Sequence, residues 1–153
     1  MFGFHLIDRS NVENFELVRD QLDRVQSAAN GEFTTEDLKT LIEQGRAWSV
    51  YLTTDAGTVK LVSVWEMVFY PRRTKINLIA MAGSGFRECC EQWYEFVKNI
   101  WRSQGATSVT CYTSPAMARF LSRAGFSEKY RFLGKLFKTP ISERWGKQIC
   151  LNE

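Results

Sequence analysis

Histidine is nearly absent from this chain: His5 is the only one in 153 residues. The four cysteines, Cys89, Cys90, Cys111 and Cys150, show no CxxC spacing. Scarce nitrogen ligands and unspaced thiols argue against a structural zinc site, so the metal expectation is none. Long apolar runs are also missing. The stretch from Leu61 to Val68 is broken by Ser63 and Glu66, and no run approaches the roughly 20 residues that cross a bilayer. The opening MFGFHLIDRS has neither the basic start nor the cleavage region of a secretory signal, which makes the cytosol, or exit by another route, the expectation. Internal repeats and low-complexity segments are absent as well.

What is present suffices for one core. Apolar residues make up 44% and aromatics 14%, which argues against disorder, and the length fits a single domain of the usual size. The net charge of +3 is too small to point to nucleic acid by itself. Its distribution is uneven: the first 45 residues are mostly acidic, whereas Arg119, Arg123, Lys129, Arg131, Lys135 and Lys138 crowd the C-terminal half. That end suits nucleic acid, a phosphorylated cofactor or an acidic protein, or is simply a solvated face. The cysteines read as buried thiols. Cys89 and Cys90 are adjacent on a helix and are not expected to face the same way, and Cys150, in a tail, is the one candidate for redox chemistry.

The chain reads as alternating elements. Phe4, Leu6 and Ile7 start a strand, and SNVE (Ser10 to Glu13) reads as a capping box opening a helix with Val12, Phe15, Val18, Leu22 and Val25 on one face. TTED (Thr34 to Asp37) opens a second helix, with Leu38, Leu41 and Ile42 inward and Gly45 at its end. AWSVYLTT, then Thr58 to Tyr70, then Lys75 to Met81 alternate as three strands. Phe86 to Trp101 carries a strong helical stripe, SVTCYT is a strand, Ser114-Pro115 opens a short helix stopped by Gly125, and YRFLGKLF is a last strand. This order implies an α/β fold with an antiparallel meander and helices covering both faces of the sheet.

With these elements in place, the chain from about residue 3 to residue 138 resembles the GCN5-related N-acetyltransferase (GNAT) fold. SPAMARFLSRAGF, Ser114 to Phe126, is the most specific stretch and looks like the family's late helix with its closing turn. The resemblance implies a GNAT-like domain over residues 1–138, with a mixed, mostly antiparallel central sheet, and a C-terminal tail over residues 139–153. It also implies that acetyl-CoA lies where two central parallel strands splay apart, its pyrophosphate on backbone amides at the start of the long helix. The family's loop has Arg or Gln, two residues, Gly, one residue, then Gly or Ala. Here Ala80 stands at the basic position while Gly83 and Gly85 match, making Ala82, Gly83, Ser84 and Gly85 the candidate cofactor loop. The other reading is a turn with positive φ, with Ser84 as a helix cap.

The late helix departs from the pattern: Leu121 stands where many members carry the Tyr that protonates the leaving thiolate, and Ser114 where Asn often begins the helix. If catalysis persists, Glu66 is the candidate base, acting through a water, and Tyr112 the replacement acid. The alternatives are a solvent-face charge for Glu66 and a half-buried core aromatic for Tyr112. YPRRTKINLIAMAG together with MARFLSRAGFSEKYRFLGKLF is also similar to small acetyltransferase-like proteins of tailed bacteriophages. The leading expectation is therefore a degenerate, non-catalytic member: a bacteriophage virion core, ejection or assembly component, found in host cytoplasm or virion, needing no cofactor and bound to other virion proteins or to itself. Ile141, Trp145, Ile149 and Leu151 are the candidate partner-binding anchors, and they dock either on a partner or on their own domain. An active acetyl-CoA-dependent N-acetyltransferase is the alternative, and a salt-sensitive nucleic-acid binder is a third reading.

Overall fold

A computed structural model describes residues 2–29, 31–113 and 115–129. The expected strand over 130–137, Cys150, and the anchors Ile141, Trp145, Ile149 and Leu151 lie outside the described residues, as does Ser114. The chain divides into two compact units, the first ending at Cys111.

The first unit contains β1 (Gly3–Ile7), a 3-10 helix (Val12–Leu17), α1 (Arg19–Val25), a 3-10 turn (Gln26–Ala29), α2 (Thr35–Glu43), β2 (Ala47–Thr53), β3 (Val59–Tyr70), β4 (Arg73–Gly83), α3 (Phe86–Ser103) and β5 (Ser108–Cys111). The strands form one sheet in the order β1-β2-β3-β4-β5. Neighbours are antiparallel except β4 and β5, which are parallel. The parallel pair follows from chain direction, because α3 crosses over between the two strands. The second unit begins with α4 (Pro115–Ser122), in which Leu121 is buried, and Gly125 follows at φ 87°.

Alternation along the strands sorts the side chains onto two faces. On one, Tyr51, Val62, Val64 and Ala82 pack with Phe15, Val18, Leu22, Leu38 and Ile42 of the N-terminal helices. On the other, Trp65 of β3 meets Trp93 and Trp101 of α3 at centroid distances of 5.4 and 4.5 Å, and Phe4 of β1 stacks on Phe96 at 5.1 Å. Burying such rings contributes about 1.5–3 kcal/mol each. Among the described residues, no helix is long and apolar enough to cross a membrane, and no cluster of three or more metal-ligating side chains occurs.

Two expectations are corrected. SNVE does not form a capping box. Asn11 stands at the N-cap with no side-chain bond to the helix, and Ser10 instead donates to Asp8, whose carboxylate is pulled below its ordinary range by these bonds. Asp8 competes for the donors the box needs, and the first segment winds as a 3-10 turn before α1 begins. TTED, by contrast, caps as expected: the Asp37 amide donates to Thr34 Oγ1 at 3.1 Å and the Thr34 amide to Asp37 Oδ2 at 2.8 Å. Cys89 and Cys90 are both buried, as expected, because the ~100° between adjacent helical residues still fits inside the wide apolar stripe of α3. The strand expected to end at Met81 runs on to Gly83, so the glycine pair straddles a strand end rather than forming a loop of its own.

Candidate functional site

The parallel ladder between β4 and β5 is short. It pairs Lys75 with Ser108 and ends at Leu78 opposite Cys111, while β4 continues through residues 79–83 without a β5 partner. Divergence of two parallel strands at their carboxyl ends is where open α/β sheets take ligands. A bulge marks the point of divergence. Val64 faces Ala80 and Trp65 faces Leu78, so Ile79 has no partner on β3, and the extra residue bends β4 there.

The strand then delivers the chain to α3. The Ser84 amide donates to the Lys60 carbonyl at 2.8 Å, which ties the turn to β3. Gly85 is the N-cap at φ 77° with no side-chain cap, so the expected capping by Ser84 does not occur. The amides of Glu88 and Cys89 reach the Gly85 carbonyl at 3.1 and 3.3 Å. The amide of Phe86, in the first turn, has no acceptor within the helix. It and the positive end of the dipole offer an anion site. Glu88 is the acidic residue of that turn, and its Oε2 lies 3.4 Å from where a Cβ on Gly85 would be.

The candidate loop residues thus differ in what they offer. Ala82 is buried in the core beside Val62, so only its backbone faces elsewhere. Gly83, at φ 120°, has no room for a side chain: a Cβ would sit 2.1 Å from the Lys60 carbonyl oxygen. Ser84 is exposed, with its amide already used. Ala80, at the position where the basic residue is missing, packs against the core. A cation that the linear pattern did not reveal comes from the neighbouring strand: the Lys60 side chain passes 4.0 Å from the Gly85 Cβ position. Only pairing of β3 with β4 brings it there, so no sequence spacing announces it.

Glu66 is half-buried on β3, and its Oε1 accepts a 3.1 Å hydrogen bond from Asn77 Nδ2. Asn77 Oδ1 in turn accepts from Thr110 Oγ1 at 3.3 Å. Glu66 therefore belongs to a polar row across β3, β4 and β5 rather than standing as an isolated surface charge. Tyr112 is 66% exposed, which removes the core-aromatic reading. Phe86 and Trp93 meet edge to face at 5.3 Å, and Trp93 donates its indole N–H to Ser63 Oγ at 3.1 Å, so both belong to the aromatic cluster under α3. Burial pushes the Cys89 and Cys111 thiols up to about 11, leaving both neutral at physiological pH and unsuited as nucleophiles.

No protein-family model matches the sequence, and no curated protein matches it. Solved structures do. A predicted acetyltransferase from Clostridium acetobutylicum, solved with acetyl-CoA, matches with a TM-score of 0.68 at 9% identity, over 89% of this chain and 96% of that one. Glucosamine-6-phosphate N-acetyltransferase from Arabidopsis thaliana matches with 0.64 at 15% identity, over 90% and 99%. An aminoglycoside acetyltransferase from an uncultured soil metagenomic sample, in complex with sisomicin, matches with 0.65 at 11% identity, over 90% and 97%.

Proposed function

Because this chain has the GCN5-related N-acetyltransferase fold, we propose that it is an acetyl-CoA-dependent N-acetyltransferase. The observation that carries the reading is the early end of the β4–β5 ladder at Leu78 and Cys111, followed by an uncapped α3. The solved structures favour this alternative over the expectation of a degenerate virion component, because acetyltransferases with near-complete coverage are what the fold matches. No observation favours the bacteriophage reading, and the tail anchors on which its protein contacts depended lie outside the described residues.

The residues present fit the cofactor. The Phe86 amide would receive its phosphates, Lys60 would add the charge missing at Ala80, and the lack of a Cβ at Gly85 keeps the backbone bare. When bound, acetyl-CoA supplies an activated acetyl group. The chain supplies the proton chemistry. Glu66 takes the proton that the attacking amine loses, directly or through one water, and Asn77 holds the carboxylate in place. Leu121 is buried and has no proton to give. Release of CoA from acetyl-CoA, followed over a panel of primary amines, tests the reading. Turnover should be seen and should fall at least about 100-fold in Glu66→Gln, the usual scale of general-base loss, with acetyl-CoA affinity unchanged. Turnover in Glu66→Gln equal to that of the parent would reject Glu66 as the base.

A further inference from the structure

The row that contains Glu66 continues into a second feature. Residues directly opposite one another place Ala47, Glu66, Asn77 and Thr110 side by side across four strands. Alternation puts the next rows of the same face toward the β3–β4 turn: Val68 opposite Lys75, then Tyr70 opposite Arg73. The β2–β3 ladder stops at Ala47 opposite Glu66, so these rows extend past β2, and only the Tyr70–Arg73 row lies beyond β5, which still pairs Ser108 with Lys75. Lys75 Nζ lies 5.2 Å over the Tyr70 ring, and Tyr70 is 52% exposed. Among the described residues, neither Lys75 nor Arg73 has a carboxylate within ion-pair distance, and Glu66 has no cationic partner. One face therefore carries a carboxylate and, about 7 and 14 Å further along by strand rise, an ammonium and a guanidinium.

We infer that this face selects an amine that bears an anionic group, carboxylate or phosphate, further along the same molecule. The amine meets Glu66, and the anion meets Lys75 and Arg73. The hydrogen bonds orient the amine end. Thr110 fixes the Asn77 amide so that its Nδ2–H points to Glu66 Oε1, and Oε2 is left to receive the incoming ammonium. The charges set the order of the molecule along the strip, since a reversed ligand would place its anion on Glu66. A nucleic acid suits the strip poorly: Glu66 interrupts the positive charge, and Phe69, opposite Thr74, turns to the other face, leaving one ring for stacking. In making the bound amine a substrate the inference rests on the acyl-transfer reading, but the binding preference stands apart from it.

The test is titration of the full-length isotopically labelled chain, by heteronuclear NMR, with 6-aminohexanoate, 6-aminohexyl phosphate, hexylamine and 1,6-diaminohexane. The two anionic amines should move the Asn77 side-chain amide and the amides of residues 66–77, with at least about fivefold higher affinity than hexylamine, equivalent to roughly 1 kcal/mol. Diaminohexane should bind weakest. Lys75→Met combined with Arg73→Gln should erase the preference, and a partial loss in Lys75→Met alone, which keeps the stem over Tyr70, guards against a fold effect. Whichever anionic amine binds more tightly identifies the group as carboxylate or phosphate. Equal affinity for hexylamine, preference for diaminohexane, shifts confined to other residues, or no binding at millimolar ligand would each overturn the inference. Acetyl-CoA titrated in parallel reports on the acyl-transfer reading separately.

Discussion

Gly83 and Lys60 approach each other too closely for a side chain to come between them: a Cβ on Gly83 would lie 2.1 Å from the Lys60 carbonyl oxygen and 2.8 Å from Leu61 Cα. Both neighbours are backbone atoms of a paired strand and cannot yield cheaply. Gly83→Ala should therefore destabilise the protein by about 2–4 kcal/mol, from crowding plus the strain of φ 120°. Urea denaturation measures it, and a loss below about 0.5 kcal/mol, the ordinary surface range, would show that the turn relaxes. Substitution of Gly83 is for this reason a poor probe of cofactor binding.

Charge near the first turn of α3 is the better probe. Lys60→Met should weaken binding of CoA about 2–5-fold, and Glu88→Gln should strengthen it by a similar factor, the scale of a single charge at a helix N-terminus. Both effects should shrink with added salt. Opposite signs in the two variants are the signature; equal affinity in all three proteins would place the phosphates elsewhere.

Ser63 should prove more important to stability than its size suggests. Its Oγ accepts the indole N–H of Trp65 at 2.8 Å and of Trp93 at 3.1 Å while donating to the Val50 carbonyl at 3.2 Å, all buried. Ser63→Ala leaves two indole donors without an acceptor, at about 1–3 kcal/mol each. A fall of about 2–4 kcal/mol in unfolding free energy is expected, with a shifted tryptophan emission; an unchanged denaturation midpoint would contradict this bonding.

Thiol reactivity should follow the burial. Cys89 and Cys111 are raised to about 11 from an ordinary 9.0, and desolvation is the leading cause at both. The thiolate fraction of each then climbs about tenfold per pH unit from pH 8 to about 11 and levels off above it. Sign follows for stability: the neutral thiol is favoured in the fold, so these groups stabilise below pH 9 relative to higher pH and lose that contribution as pH rises through 9 to 11. Alkylation with iodoacetamide, mapped by peptide mass spectrometry, should spare both residues at pH 8. Rapid native-state labelling of either at that pH would mean that the helix or strand opens locally.

Much of the fold was legible because its signals are local. The Thr34 and Asp37 box, the Phe86 to Trp101 stripe and the turn residues between β2, β3 and β4 depend on near neighbours in sequence, and each element formed where those signals lie. The SNVE box failed because Asp8, two residues outside the pattern, captured Ser10. The site was less legible because it is built across strands. Glu66 was visible as a charge in an apolar run, but Asn77 and Thr110 became its neighbours only through register. Lys60 likewise reaches the α3 turn only because β3 lies beside the end of β4. The Ile79 bulge has no sequence signature, since an extra residue in a strand is defined by its partner.

Calorimetric titration of the folded protein with acetyl-CoA, beside a Ser84→Glu variant that adds a negative charge at an exposed position next to the start of α3, is the most direct test of cofactor binding. Saturable one-site binding in the micromolar range, weakened about tenfold by Ser84→Glu, is the predicted result. Absence of saturable heat up to millimolar acetyl-CoA, from protein shown to be folded, would contradict the acetyltransferase reading and leave the glycine pair as a structural turn.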